Sequence, residues 1–198
     1  MAQDSTGESG DAARDAAAPS KALAAVCSIP DWGRFVMAWN DDGLMLLGPP
    51  DRAPGEHLGR LAARGVAIES TNEVPKKFLE ALAAYFAGDP LPIGSVPVAQ
   101  PGTAFQQSVW AAVRGIPAGE TRTYGALAKQ LGRADGGRAV GSACHANLAL
   151  VAVPCHRLIG QGGGVTGYAA GVKWKQRLLE HEARIRAKRD AGLFGGER

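Results

Sequence analysis

The sequence predicts a mixed fold, α/β in the broad sense and α+β in detail. A small N-terminal α+β unit carries a three-stranded antiparallel sheet, and a mostly helical C-terminal unit contains a helix-turn-helix. Three observations predict it. Two short apolar runs, Arg34 to Trp39 and Leu44 to Leu47, flank Asn40-Asp41-Asp42-Gly43, which is a hairpin signal. The stretch from Leu91 to Gly102 carries Pro92, Gly94, Pro97, Pro101 and Gly102 and reads as an extended linker. Beyond it the apolar residues recur at helical spacing, and Thr103 and Thr123 stand where helix N-caps belong.

The boundaries follow from composition. Residues 1–20 are rich in Ala, Asp, Ser and Gly, lack apolar bulk, and are expected to be a disordered tail without a secretory signal. Residues 21–90 form the N-terminal unit, 91–102 the linker, 103–187 the C-terminal unit and 188–198 a flexible tail. No apolar run approaches the ~20 residues that span a bilayer, so no membrane association is expected. Three cysteines are too few and too odd for a disulfide framework and fit a reducing cytoplasm. The net charge of +3 is uneven: residues 101–198 hold fourteen Lys and Arg against six acids. A basic half suggests a polyanionic partner, nucleic acid before membrane, although seven of those bases between Lys173 and Arg189 fit a solvated helix face equally.

In the first unit, Lys21 to Ile29 supplies a third strand ended by Pro30. Gly55 to Arg64 is a modest helix and Val66 to Glu69 alternates like a strand. Pro75 opens a helix whose Phe78, Leu79, Leu82, Tyr85 and Phe86 share a face, and Gly88 and Pro90 stop it. In the second unit, Thr103 with Gln106 is a capping box, and Phe105, Val109 and Val113 make a buried stripe. Thr123 caps a short helix that starts at Tyr124, ends at Gly132 and carries Leu127 and Leu131. A third helix runs from Gly137 to about Ala146. Its Arg138-Ala139-Val140-Gly141 is bare of bulk except for one arginine. Such a helix either approaches another backbone closely and inserts that arginine into DNA, or packs tightly inside the protein. The last helix, Val172 to Ala187, bears Trp174, Leu178, Leu179 and Ile185, with Glu182 on the same stripe.

Apolar residues from Leu148 lead into Pro154-Cys155-His156-Arg157-Leu158, which reads as a buried strand ending in a rigid turn. Neighbouring histidine and arginine would lower a thiol pKa and make Cys155 a nucleophile, but a buried core cysteine is as compatible with the pattern. Glu182 must be paired if buried, with His156 as its orienting partner or with an arginine in a structural ion pair. Gly160 to Gly167 lacks the Gly-Lys-Ser/Thr of a phosphate loop, so a ligand-covering loop or hairpin is expected. Cys144-His145 and Cys155-His156 lack zinc-ligand spacing.

Taken together, Pro154-Cys155-His156-Arg157, Thr123-Tyr124, Arg138-Ala139-Val140-Gly141, Asn147, Gly167-Tyr168 and Leu178-Leu179 with Glu182 resemble the O6-alkylguanine-DNA alkyltransferases over about residues 75–185. The resemblance implies an RNase H-like first unit and a winged-helix-like second. It implies a direct-reversal repair protein that binds double-stranded DNA through the minor groove, flips out an O6-alkylguanine (or O4-alkylthymine) and moves the alkyl group once to Cys155. It further implies His156 as base, Glu182 as its orienter, Asn147 as a tie, Arg138 as the filler of the vacated stack and Tyr124 as a phosphate and base contact. On the same basis Ala139, Gly141 and Arg157 belong to the DNA-binding and substrate set. The backbone of Cys155, Leu158 and Ala169 reads the guanine, and Val165 to Ala170, with Tyr168, walls the pocket. No cofactor or metal is implied, because the zinc site of some relatives has only Cys27 and His57 to draw on here. A monomer is expected. The sequence departs from the family at Leu148, where proline is usual, and at Ala169-Ala170, where Ala170 would add a methyl at the pocket edge. The competing reading is a non-catalytic helix-turn-helix protein that senses lesions, with Cys155 structural.

Overall fold

The turn Asn40–Gly43 closes as its residues dictate, with the Asn40 side-chain oxygen accepting from the backbone of Asp42 and Gly43 at 3.1 Å each. It joins β2 (Gly33–Asn40) to β3 (Gly43–Gly48) in an antiparallel hairpin, and β1 (Lys21–Ile29) pairs antiparallel with the other edge of β2. This computed structural model describes residues 20–165 and 167–192; the expected tail before Ser20, and the end of the expected tail after Gly192, lie outside the described residues.

The sheet has four strands rather than three, in the order β3-β2-β1-β4. After β3, helix α1 (Pro54–Ala62) crosses over and delivers β4 (Ala67–Ser70) parallel to β1, pairing Lys21 with Ala67 through Ala24 with Ser70. Alternation marked β4 as a strand; a parallel partner at the far edge needs the helical crossover that a hairpin does not.

The opposite edge, β3, is covered by chain from the second half. Leu44 donates to Pro97 O at 2.8 Å and Ala99 to Leu44 O at 2.9 Å. Leu47 donates to Leu148 O at 3.0 Å and accepts from Leu150 at 3.1 Å. Gly43 permits the approach: a Cβ there would stand 2.5 Å from Pro97 O, at a φ of +147°. The stretch expected to be an extended linker is therefore packed. Leu91–Ser95 forms a short helix, α3, and Gln100 is 1% exposed.

Helix α2 (Lys76–Ala87) ends at Gly88 in the left-handed conformation and buries Phe78, Leu82 and Tyr85. Helix α4 (Ala104–Arg114) has the Thr103–Gln106 capping box, and Thr123 caps α5 (Tyr124–Gln130) by accepting from Ala126 at 3.1 Å. α6 (Gly137–His145) follows. A two-residue ribbon of β5 (Arg122–Thr123) and β6 (Leu158–Ile159) is parallel. α7 (Val172–Asp190) runs three residues past its expected end, with Arg186 and Asp190 paired at 3.5 Å one turn apart. One contiguous apolar cluster joins the halves, from Phe35, Met37 and Tyr85 to Val109, Leu127, Cys155 and Leu178. Among the described residues no helix is long and apolar enough to cross a membrane.

Candidate active site

The covered edge of β3 delivers the central segment. Once Leu148–Leu150 has bonded to Leu47, the chain turns twice in four residues. Ala152 donates to Leu150 O at 2.9 Å around Val151, which has a φ of +70°. A β-branched residue in that γ-turn is strained, at a cost on the order of 1–3 kcal/mol. Cys155 then donates to Val153 O at 2.8 Å around Pro154, whose φ of −81° and ψ of 59° make an inverse γ-turn suited to the proline ring. The expected strand is thus two isolated contacts and a pair of γ-turns, and Cys155–Arg157 is a single turn of 3-10 helix. The rigid turn at Pro154 is present.

Asn147 ties this turn to the end of α6. Its Nδ2 donates to Val153 O at 2.9 Å and lies 3.4 Å from Cys155 Sγ. Its Oδ1 accepts from Ala149 N at 3.0 Å and from Gln100 Nε2 at 2.9 Å. Gln100 in turn accepts from Leu148 N at 2.7 Å, the position where the absent proline would have offered no donor.

His156, Arg157 and Glu182 form a buried cluster. Glu182 Oε1 accepts from His156 Nε2 at 2.8 Å, Arg157 Nη2 at 2.7 Å and the Tyr85 hydroxyl at 2.9 Å. Oε2 accepts from Arg157 Nε at 2.9 Å and Gly119 N at 3.1 Å. Both open readings of Glu182 hold: it pairs with the histidine and with an arginine. Burial pushes the Glu182 carboxyl up, but His156 and Arg157 outweigh it and hold the group well below the carboxylate range. Burial pushes His156 down against the pull of Glu182. The imidazole is therefore neutral, and Arg157 supplies the charge that balances Glu182. A carboxylate only accepts, so Nε2 carries the proton and Nδ1 keeps a lone pair. That Nδ1 has no hydrogen-bond partner among the described residues.

The Cys155 thiol does not have the depressed pKa expected from its neighbours in sequence. A hydrogen bond with Cys144, and then burial, push it well above the ordinary value, against Asn147 and Lys175. Arg157 spends its charge on Glu182 and His156 is neutral, so neither stabilises a thiolate in the resting protein.

Cys155 opens onto a cavity of about 510 Å³, within the size range of small-ligand sites. Tyr124 and Tyr168 line it with Gly167 and Ala169 on one side, and Arg138, Gly141, Ser142, Cys144 and His145 of α6 on the other. Tyr124 is pushed up to about 12 by burial, with Cys144 and Cys155 adding to the shift, and its hydroxyl donates to Gly167 O at 3.3 Å. Lys175 is fully buried and donates to the Tyr124 hydroxyl at 3.3 Å. Arg138 is exposed at the start of α6. A Cβ on Gly141 would meet nothing within 4 Å, so this helix face is open and not packed inside the protein.

The structure thus gathers Cys155, Tyr124, Arg138, Gly141, Tyr168 and Ala169 around one cavity, with Asn147 against the thiol and His156 and Glu182 paired in the buried cluster next to it in sequence. Ala139, Leu158, Arg157 and Val165 do not line it: Leu158 is core, Arg157 belongs to the Glu182 cluster, and Ala139 and Val165 are half-buried. Ala170 packs with Leu150 behind the wall instead of narrowing its edge, and Thr166 lies outside the described residues. Sequence reasoning missed Gln100, hidden in a proline-rich stretch, and Lys175. The latter had a signal, since Lys175, Leu178, Glu182 and Ile185 fall on one stripe of α7. Among the described residues no three His, Cys, Asp or Glu side chains gather as metal ligands.

Comparison with known proteins bears directly on this site. The profile described as "6-O-methylguanine DNA methyltransferase, DNA binding domain" matches residues 104–184. The methylated-DNA--protein-cysteine methyltransferase of Salmonella typhimurium is 49% identical over 115 residues, covering 58% of this chain and 66% of that protein. The protein of the same name from Mycobacterium tuberculosis is 47% identical over 116 residues, covering 59% of this chain and 69% of the relative. In three dimensions the M. tuberculosis OGT in complex with DNA superposes with a TM-score of 0.67 at 33% identity, over 82% of this chain and 94% of that one.

Proposed function

The chain belongs to the methylated-DNA--protein-cysteine methyltransferase family, and we propose that it repairs alkylated DNA by direct reversal. Cys155 takes a methyl or small alkyl group from O6-alkylguanine, and from O4-alkylthymine, in a single irreversible turnover. The observation that carries this reading is a buried thiol lining a base-sized cavity, next in sequence to a neutral histidine whose lone pair has no partner among the described residues.

In this mechanism the protein docks double-stranded DNA as a monomer, with α6 in the minor groove. The open face around Gly141 allows close approach, and the basic half supplies charge for the phosphates. The damaged base is flipped into the cavity at a cost of a few kcal/mol, the general route to a buried base. Arg138 fills the gap and Tyr124 contacts the phosphate and the base. Backbone groups of Cys155 and Ala169, which line the cavity, hold the guanine edge. His156 Nδ1, through a water, draws the proton from the resting thiol as the base docks. The S–C bond forms as the C–O6 bond breaks, and the proton ends on the guanine, which leaves as the normal keto base. The thioether does not hydrolyse, so the protein is consumed. The two halves correspond to RNase H-like and winged-helix-like units, supported by the β1–β4 sheet and by α4–α6 with the β5–β6 ribbon.

Intact-mass measurement after incubation with a duplex bearing one O6-methylguanine tests the reading. One added methyl per molecule, at most, is expected, and none in Cys155→Ala. An unchanged mass for folded wild-type protein would sink it in favour of a lesion sensor. Arg138→Ala should slow repair of duplex DNA by about 10-fold or more, as expected when a flipped state loses a few kcal/mol of support. It should leave the reaction with free O6-benzylguanine unchanged, and equal slowing of both would remove the finger role.

A further inference from the structure

A charged cluster in the N-terminal half, with His57 buried and Asp51 and Arg52 half-buried, takes no part in this mechanism. His57 is 3% exposed, and a Cβ on Gly48 would stand 2.5 Å from its ring, so the loop closes tightly over it. His57 Nε2 lies 2.9 Å from Pro49 O and 3.2 Å from Asp51 Oδ1. The other oxygen, Asp51 Oδ2, accepts from Arg52 Nε at 3.0 Å. The Arg52 side chain is 30% exposed, and an ion pair so open to solvent contributes little net stability. A use other than stability is therefore to be looked for.

The cluster reaches across the molecule. Arg52 Nη2 donates to Ala169 O at 2.7 Å, over a separation of 117 residues. Ala169 lines the alkyl cavity. The carbonyls beside it are held as well, Gly167 O by the Tyr124 hydroxyl at 3.3 Å and Tyr168 O by Gly171 N at 2.9 Å. Among the described residues, the tie at Ala169 is the one that comes from the N-terminal half. The wall lies between Gly162–Gly164 and Gly171, in backbone that glycine leaves with high conformational entropy.

We infer that Arg52, braced by Asp51 and His57, is a positioning residue for alkyl transfer: it fixes the pocket wall at Ala169 and makes the N-terminal half part of the acceptor site. This rests on the alkyl-transfer reading. Arg52 touches neither Cys155 nor the base; it acts through the backbone that holds the guanine edge. A misplacement of about 1 Å in such a wall can cost on the order of 10²-fold in rate.

The test compares second-order rates for wild type, Arg52→Ala, Arg52→Lys and Asp51→Asn, each below its melting temperature. The substrates are free O6-benzylguanine and an O6-methylguanine duplex. Arg52→Ala should slow both by a similar factor of about 10 to 100. Arg52→Lys should recover part of the loss, because an ammonium can also donate to Ala169 O, and Asp51→Asn should fall between. A purely structural residue would lower the melting temperature and leave the rates alone, and that result overturns the inference. Slowing of the duplex reaction alone also overturns it, since it would mark a DNA contact. If Arg52→Ala does not fold, wild-type rates in both Arg52→Lys and Asp51→Asn overturn it, whereas slowing of both substrates by Asp51→Asn supports it. A wild type inert to both substrates sinks the alkyl-transfer reading itself, and this inference with it.

Discussion

Glu182→Ala is expected to cost about 3–5 kcal/mol, the usual penalty for leaving a buried charge without its partner. Arg157 is 7% exposed and directs Nε and Nη2 at this one carboxylate, while His156 and Tyr85 lose their acceptor as well. Against a total stability of about 5–15 kcal/mol, the loss should show as a large fall in melting temperature and in soluble yield. Glu182→Gln separates folding from chemistry. It keeps the volume and one acceptor for Arg157, but it can turn an amide N–H toward His156 Nε2. The imidazole then shifts its proton to Nδ1, and the lone pair proposed to draw the thiol proton is lost. Alkyl transfer should slow by about 10²-fold or more, the scale of a lost general base. A folded Glu182→Gln protein that reacts at the wild-type rate would remove His156 from the mechanism. The same carboxylate gives the stability a pH dependence of known sign. Its pKa is depressed in the folded state, so its contribution is complete above the unfolded value of about 4.3 and is lost as pH falls below it. Denaturant midpoints should fall from pH 5 to pH 3 in wild type more steeply than in Glu182→Gln.

Gln100→Leu should destabilise by about 2–3 kcal/mol. It strands the buried Leu148 N–H at about 1–3 kcal/mol and deprives Asn147 of a donor. For a chain of this length that is roughly 4–12 °C in melting temperature. Because Asn147 sets both Val153 and the thiol, alkyl transfer should slow as well, whereas Gln107→Ala, which removes only a bond to Gln100 O, should do neither. Unchanged melting and rate in Gln100→Leu would show that Asn147 holds the turn without help.

The elements that were legible in the sequence are those fixed by near neighbours. The Asn40–Gly43 turn, the Thr103–Gln106 box, the Thr123 cap and the Gly88 stop each rest on contacts within a few residues. What failed to show depends on partners far along the chain. β4 finds β1 through a crossover, Gln100 becomes buried only when Leu148 and Asn147 reach it, and the γ-turn at Val151 follows from anchoring Leu148–Leu150 on β3. The site divides in the same way. The Pro154–Arg157 signature and Glu182 are readable as residue types at a spacing. The resting state of Cys155 is not, because the groups that set it are Cys144, Asn147 and Lys175 and not its flanking cations.

The Glu182 cluster also imposes an order in time. The thiol, the histidine and the arginine are all made before residue 160, but their carboxylate lies on α7. A ribosome-bound chain therefore carries the nucleophile before it has the group that fixes the base tautomer. Until α7 has emerged and docked, His156 lacks the acceptor that holds its proton on Nε2, so the proposed proton transfer waits for the last helix.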